Sequence, residues 1–217
     1  MGTAPAFATV ILDVDSTVSG IEGIDWLAQR RGDVVAQRVA ALTNDAMRGA
    51  VPLDEVYGAR LAAIRPRRHE LDALAAAYVD ALAPNCAEVI SRFRHAGVRV
   101  VLVSSGLRHA LIRLALHLGV ELADLHAVDI RFDAGGAYAG FDTRSPLTTA
   151  NGKRTLIGDL ELERPVLMAG DGATDVAARD VVDSFVAYTG FVARDAVVEQ
   201  ASAFVRSFDE LAALVLP

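Results

Sequence analysis

The chain has a single cysteine, a single tryptophan and no excess of positive charge. Cys86 has no partner for an intramolecular disulfide, which excludes a disulfide-stapled secreted scaffold and fits a reducing compartment. Lys and Arg number 21 against 28 Asp and Glu, giving a net charge of -7 with no densely basic stretch. Polyanionic partners recruit clustered cations, so neither nucleic acid nor an anionic membrane surface is expected to bind. No apolar run reaches the roughly 20 residues that a bilayer-spanning helix needs. The opening MGTAPAFATVILDVD has no basic region, and removing it as a signal peptide would destroy its apolar run, so a cytoplasmic location is expected. Gly2 invites a myristoylation reading, but Ala6 stands where Ser or Thr belongs. What is there is 217 residues, 53% of them hydrophobic, enough for one substantial core and a small second domain.

The most informative stretch is VILDVDST at residues 10–17. Its β-branched and aliphatic run reads as a buried strand. The run stops at Asp13 and Asp15, whose spacing places both side chains on one side of an extended chain. An isolated buried charge is costly, and two like charges this close need a cation or a shared proton between them. A hard divalent metal is the simplest cation to supply. One carboxylate at a strand end can bind a metal and attack phosphorus, while the other protonates a leaving alkoxide and then deprotonates water. Taken alone, the pair reads equally well as loop aspartates capping the next helix.

ATVILDVD, VRVVLVSSG and PVLMAGDG each end in polar or small residues and lead towards helical patterning, and DSFVAY is a fourth strand candidate. This alternation predicts an α/β fold, a Rossmann-like parallel sheet with helices on both faces, binding its ligands beyond the carboxyl ends of the strands. Residues 18–85 carry amphipathic helical segments broken by Gly32, Gly49, Pro52, Pro66 and Pro84. They are too long for a crossover, so they read as a helical cap domain inserted after the first strand, with 1–17 and 86–217 as the core. HAVDIRFDAGGAYAGFD alternates around Gly135-Gly136, which predicts a small β-hairpin flap.

Further groups fall at strand ends or helix starts. Ser104-Ser105-Gly106 offers a hydroxyl and backbone N–H groups as a phosphate cradle, or a plain serine N-cap. Lys153 in NGKRTLIGDL can neutralise a phosphate and a carboxylate nucleophile, although an isolated lysine is ordinarily a solvated surface residue. In Gly170-Asp171-Gly172-Ala173-Thr174-Asp175 the glycines allow close backbone approach and leave Asp171 as a metal ligand. A dinucleotide-binding G-x-G-x-x-G competes for the same residues, but Asp175 replaces its last glycine and would repel a pyrophosphate. The five histidines show no convergent ligand spacing, and Cys86, Trp26 and Tyr57 read as packing residues.

The ordered set of Asp pair, serine, lysine and GDGATD resembles the haloacid dehalogenase-like phosphatase superfamily. DVDSTVSGIEGIDWLA, AMRGAVPL, RLAAIRP, GAYAGFD and GDGATD are similar to the phosphoserine phosphatases within it, from about residue 10 to the end of the chain. The resemblance implies that Asp13 is a nucleophile forming an aspartyl phosphate and that Asp15 is the general acid and base. It implies Mg²⁺ held by Asp13, the Asp15 carbonyl and Asp171, with Asp175 supporting the metal-bound water or Lys153. Ser104, Ser105, Gly106, Lys153 and Thr174 would hold the phosphoryl oxygens. In the cap, Glu22 would receive a substrate ammonium, Arg60 a carboxylate, and Met47 would cover the substrate.

Two positions depart from the pattern: Ser105 stands for the first of two glycines, and Arg48 for a glycine after the cap methionine, placing an extra cation by the pocket. The expected partner is a small phosphate monoester, O-phosphoserine first and another small phosphorylated amino acid or metabolite second, handled by a monomer or homodimer. A non-catalytic binding module is disfavoured because every catalytic motif residue is present.

Overall fold

The computed structural model describes residues 4–47 and 53–217, with side chains between 44 and 54 left out. The expectations for the Met47 side chain and for Arg48 lie outside the described residues.

The first strand, β1 (Thr9–Leu12), is buried along its whole length, as an apolar run covered on both faces must be. Four helices follow: α1 (Gly23–Gln29), α2 (Asp33–Met47), α3 (Leu53–Ile64) and α4 (Arg68–Asp80). The chain then runs through α5 (Cys86–His95), β2 (Arg99–Leu107), α6 (Arg108–His117) and β3 (Leu125–Val128). A hairpin of β4 (Ile130–Phe132) and β5 (Tyr138–Phe141) precedes α7 (Gly152–Asp159) and β6 (Val166–Gly170). The remainder is α8 (Ala173–Val176), β7 (Ser184–Tyr188), α9 (Asp195–Val198), β8 (Ala203–Val205) and α10 (Phe208–Val215).

The main sheet has the order β3-β2-β1-β6-β7-β8, with every pairing parallel. Sequence order reverses beside β1, which makes the crevice beyond the carboxyl ends of β1, β2 and β6 the natural ligand site. Register brings the motifs together there: Leu12 pairs with both Leu102 and Ala169, so the residues after β1 sit between the ends of β2 and β6. The separate β4–β5 hairpin is antiparallel, as its alternation predicts.

Three elements differ from the sequence reading. Leu125–Val128 joins the main sheet at its edge instead of belonging to the hairpin excursion, and β8 extends the opposite edge. Both are short, too short for periodicity to show. Ser104, Ser105 and Gly106 lie within the irregular end of β2, where the register against β3 shifts, and α6 starts only at Arg108. None of the three therefore caps a helix.

The segments that lead into α1 and out of α4 run side by side. Gly20 N–H donates to the Ala81 carbonyl at 2.9 Å and Ala83 N–H to that of Val18 at 3.0 Å. Helix α2 packs on α3, while α4 packs along α6.

Candidate active site

Asp13 follows β1 directly, its N–H donating to the Ala169 carbonyl at 3.0 Å. The residue is only 7% exposed and meets Lys153, which is 2% exposed. Lys153 Nζ lies 2.5 Å from Asp13 Oδ1 and 2.6 Å from Asp175 Oδ1. The lysine is thus a buried counter-ion and not a surface residue. Burial alone would lower its ammonium, but the charges of Asp13 and Asp175 outweigh that and hold it above its ordinary value. Burial and the charge of Asp175 push the Asp13 carboxyl up, against the pull of Lys153.

Asp171 follows β6. Its Oδ1 accepts from Thr17 Oγ1 at 3.1 Å. Asp175 is fully buried, and its Oδ2 accepts from Gly172 N–H at 2.9 Å. A Cβ added at Gly170 would collide with the Asp175 carboxyl, so this glycine is required by close approach. Asp13, Asp171 and Asp175 present ligand atoms within 4.8 Å of one another. An all-carboxylate set packed this tightly and this deeply fits a hard cation, which would relieve the cost that now raises Asp13. Both oxygens of Asp175 are already engaged by protein donors.

Asp15 is half-buried and accepts from Tyr78 OH at 2.5 Å. Burial first, then the charge of Glu22, pushes its carboxyl up to about 7, which suits a group that must both give and take a proton near neutrality. Ser16 adopts φ 55, turning the chain so that its hydroxyl donates to Glu22 Oε1 at 2.7 Å. Ser104 Oγ accepts from Gly106 N–H at 2.9 Å, leaving its own hydroxyl hydrogen available.

Two cavities share Asp15, Glu22, Ser105 and Thr174. One, of about 240 Å³, is lined by Asp13, Ser104, Lys153, Asp171 and Arg194; the other, of about 200 Å³, by Tyr57, Arg60 and Thr149. Arg60 reaches its cavity from α3, with Nη2 donating to Asp25 Oδ1 at 2.8 Å and its buried Nε without a partner among the described residues. The structure therefore gathers Asp13, Asp15, Glu22, Arg60, Ser104, Ser105, Lys153, Asp171 and Thr174 along one continuous cleft.

Four residues in and around this cleft were not legible as site residues. Arg194 Nη1 contacts the Asp171 carboxylate and donates to its backbone carbonyl at 3.0 Å. Tyr57 OH donates to the Ser105 carbonyl at 2.9 Å, so it is more than packing. Tyr78 and Asp25 touch Asp15 and Arg60. The one available signal concerned Arg194: it follows β7, whose carboxyl end lies at the same edge of the sheet.

An aspartate that ends β1, a second one two residues later, a buried lysine and an aspartate that ends β6, on this strand order, define a haloacid dehalogenase-like hydrolase. No family model matches the chain. It is 37% identical over 205 residues to the phosphoserine phosphatase of Rattus norvegicus, covering 93% of this chain and 90% of that protein. A phosphoserine phosphohydrolase-like protein from Francisella tularensis has the same fold, at TM-score 0.80 and 21% identity over 95% of this chain and 98% of that one. A phospho-aspartyl intermediate analogue of phosphoserine phosphatase superposes at TM-score 0.76 with 20% identity, covering 96% and 98%. The chain belongs to the phosphoserine phosphatase family.

Among the described residues no helix is long and apolar enough to cross a membrane.

Proposed function

We propose that the chain hydrolyses O-phospho-L-serine to L-serine and phosphate, with Mg²⁺ held by Asp13, the Asp15 carbonyl and Asp171. The observation that carries this reading is the sharing of Asp15 and Glu22 by the two cavities. One offers carboxylates and cations to a phosphoryl group; the other, a small chamber where Glu22 and Arg60 stand beside Asp15, matches an amino acid's ammonium and carboxylate.

A carboxylate oxygen of Asp13 attacks phosphorus, and the bond to the serine oxygen breaks as Asp15 gives that oxygen a proton. Lys153 neutralises the charge gathering on the phosphoryl oxygens, with Ser104, the Ser105 N–H and Thr174 holding them, while the Gly106 N–H orients the Ser104 hydroxyl. Asp15, now ionised, takes a proton from water, which attacks the aspartyl phosphate and restores Asp13. The bound cation supplies further charge stabilisation on the phosphoryl oxygens. Glu22 takes the substrate ammonium and Arg60 its carboxylate. The helical insert closes the cleft against water. Every residue named comes from one chain, so a monomer or homodimer suffices, and a cytoplasmic location suits the lone buried Cys86.

A panel of phosphate esters with Mg²⁺ tests this. O-phosphoserine should exceed O-phosphothreonine, glycerol phosphate and an aryl phosphate in kcat/KM, and Arg60→Ala should erase that preference chiefly by raising KM for phosphoserine. Equal rates on phosphoserine and the aryl ester would sink the substrate assignment.

A further inference from the structure

Tyr78 is fully buried on α4, and its hydroxyl donates to Oδ1 of Asp15 at 2.5 Å. No step above uses this phenol. Its placement is built from several sides. A Cβ added at Gly23 would collide with the Tyr78 hydroxyl, and one at Gly106 would sit 3.4 Å from it, so two glycines of the cleft leave room for it. The Ser19 hydroxyl donates to the Tyr78 backbone carbonyl at 2.9 Å, tying the same residue to the segment that carries Asp15. The helix beneath is docked on the core: α4 packs along α6, and Asp72 meets His109 Nε2 at 2.9 Å.

We propose that Tyr78 is a positioning residue for proton transfer. A carboxyl oxygen that receives a short hydrogen bond from a phenol is a poor place for a proton, because both hydrogens would compete for one site. Tyr78 therefore reserves Oδ1 of Asp15 and leaves the other oxygen to carry the proton to the leaving alkoxide and from the incoming water. A docked helix also holds that oxygen's direction fixed, and general acid catalysis is sensitive to such direction. The inference rests on the phosphomonoesterase reading above.

The test exploits leaving groups. A serine alkoxide needs protonation as it departs, whereas p-nitrophenolate does not. The value of kcat/KM reports the steps through phosphoryl transfer to Asp13, so the two esters can be compared without the shared hydrolysis step. Tyr78→Phe should lower kcat/KM for O-phosphoserine by about 10- to 100-fold and change that for p-nitrophenyl phosphate by less than about 3-fold. In an Asp15→Asn background the same substitution should have no further effect. Equal losses on both esters, or an undiminished loss in the Asp15→Asn background, would overturn the proposal. Wild-type protein that ignores phosphoserine but hydrolyses another alkyl phosphate would overturn only the substrate reading, and the alkyl–aryl comparison on that ester would still decide Tyr78.

Discussion

The ammonium of Lys153 lies 2.5 Å from Oδ1 of Asp13, with both side chains almost wholly removed from solvent. A nucleophile held against its own counter-ion has part of its burial cost offset and is presented to an incoming dianion beside a positive charge. The same ammonium reaches Asp175 at 2.6 Å, so a single lysine serves two carboxylates.

Breaking that arrangement should be costly twice over. Lys153→Met leaves Asp13 and Asp175 buried without their shared cation, which should destabilise the metal-free protein by about 3–5 kcal/mol in urea unfolding. Activity should fall by at least about 100-fold even where the protein stays folded, because a charge-stabilising donor is lost. A variant of near wild-type stability and rate would show that Lys153 is an ordinary buried lysine.

Arg194 contacts the Asp171 carboxylate, the same group that a cation in the Asp13, Asp171 and Asp175 cluster would draw on. Removing the arginine therefore removes a competitor. Arg194→Gln should tighten metal binding several-fold in calorimetric titration, within the usual range for such couplings of about 1–3 kcal/mol. It should also lower the melting temperature of the metal-free protein, with saturating metal closing the gap. Weaker metal binding in the variant would instead make Arg194 a support of the site.

Much of this site could be read from the chain because strand ends are where an α/β sheet puts its chemistry. Asp13, Asp15 and Asp171 each follow an apolar run with an abrupt change of polarity, and the structure places all three at one edge. Lys153 gave no such signal by itself; its burial depends on α7 packing near α8, a tertiary fact that local pattern does not encode. Tyr78 and Arg194 were illegible for a related reason. Tyr78 sits among alanines on an amphipathic helix, where an aromatic reads as core, and only the docking of α4 aims its hydroxyl at Asp15. The short edge strands β3 and β8 carry too few residues for a period of two to stand out.

A pH effect on stability should arise away from the catalytic cleft. Burial is the largest single influence and opposes ionisation of Glu70, but the Arg67 N–H at 2.6 Å and the Arg31 guanidinium together outweigh it and hold the carboxyl below its ordinary value. A depressed carboxyl stabilises the fold above its unfolded pKa, about 4.3, and loses that contribution as pH falls through the folded value. Glu70→Gln should therefore cost about 0.5–1 kcal/mol at pH 7, the modest size expected of a partly screened pair. The difference between wild type and variant should vanish in more acidic solution. A gap that persists unchanged there would mean the loss is one of packing.

The central claim is that Asp13 carries the phosphoryl group. It is tested most directly by incubating Asp15→Asn protein with p-nitrophenyl phosphate, whose leaving group needs no proton, and Mg²⁺, quenching in acid and mapping the modified peptide by mass spectrometry. With the proton carrier gone, hydrolysis of the intermediate should slow, and one phosphoryl group should be found on Asp13, absent after the further change Asp13→Asn. Phosphate released with no label on Asp13, or an Asp13→Asn protein that retains wild-type turnover, would contradict the account.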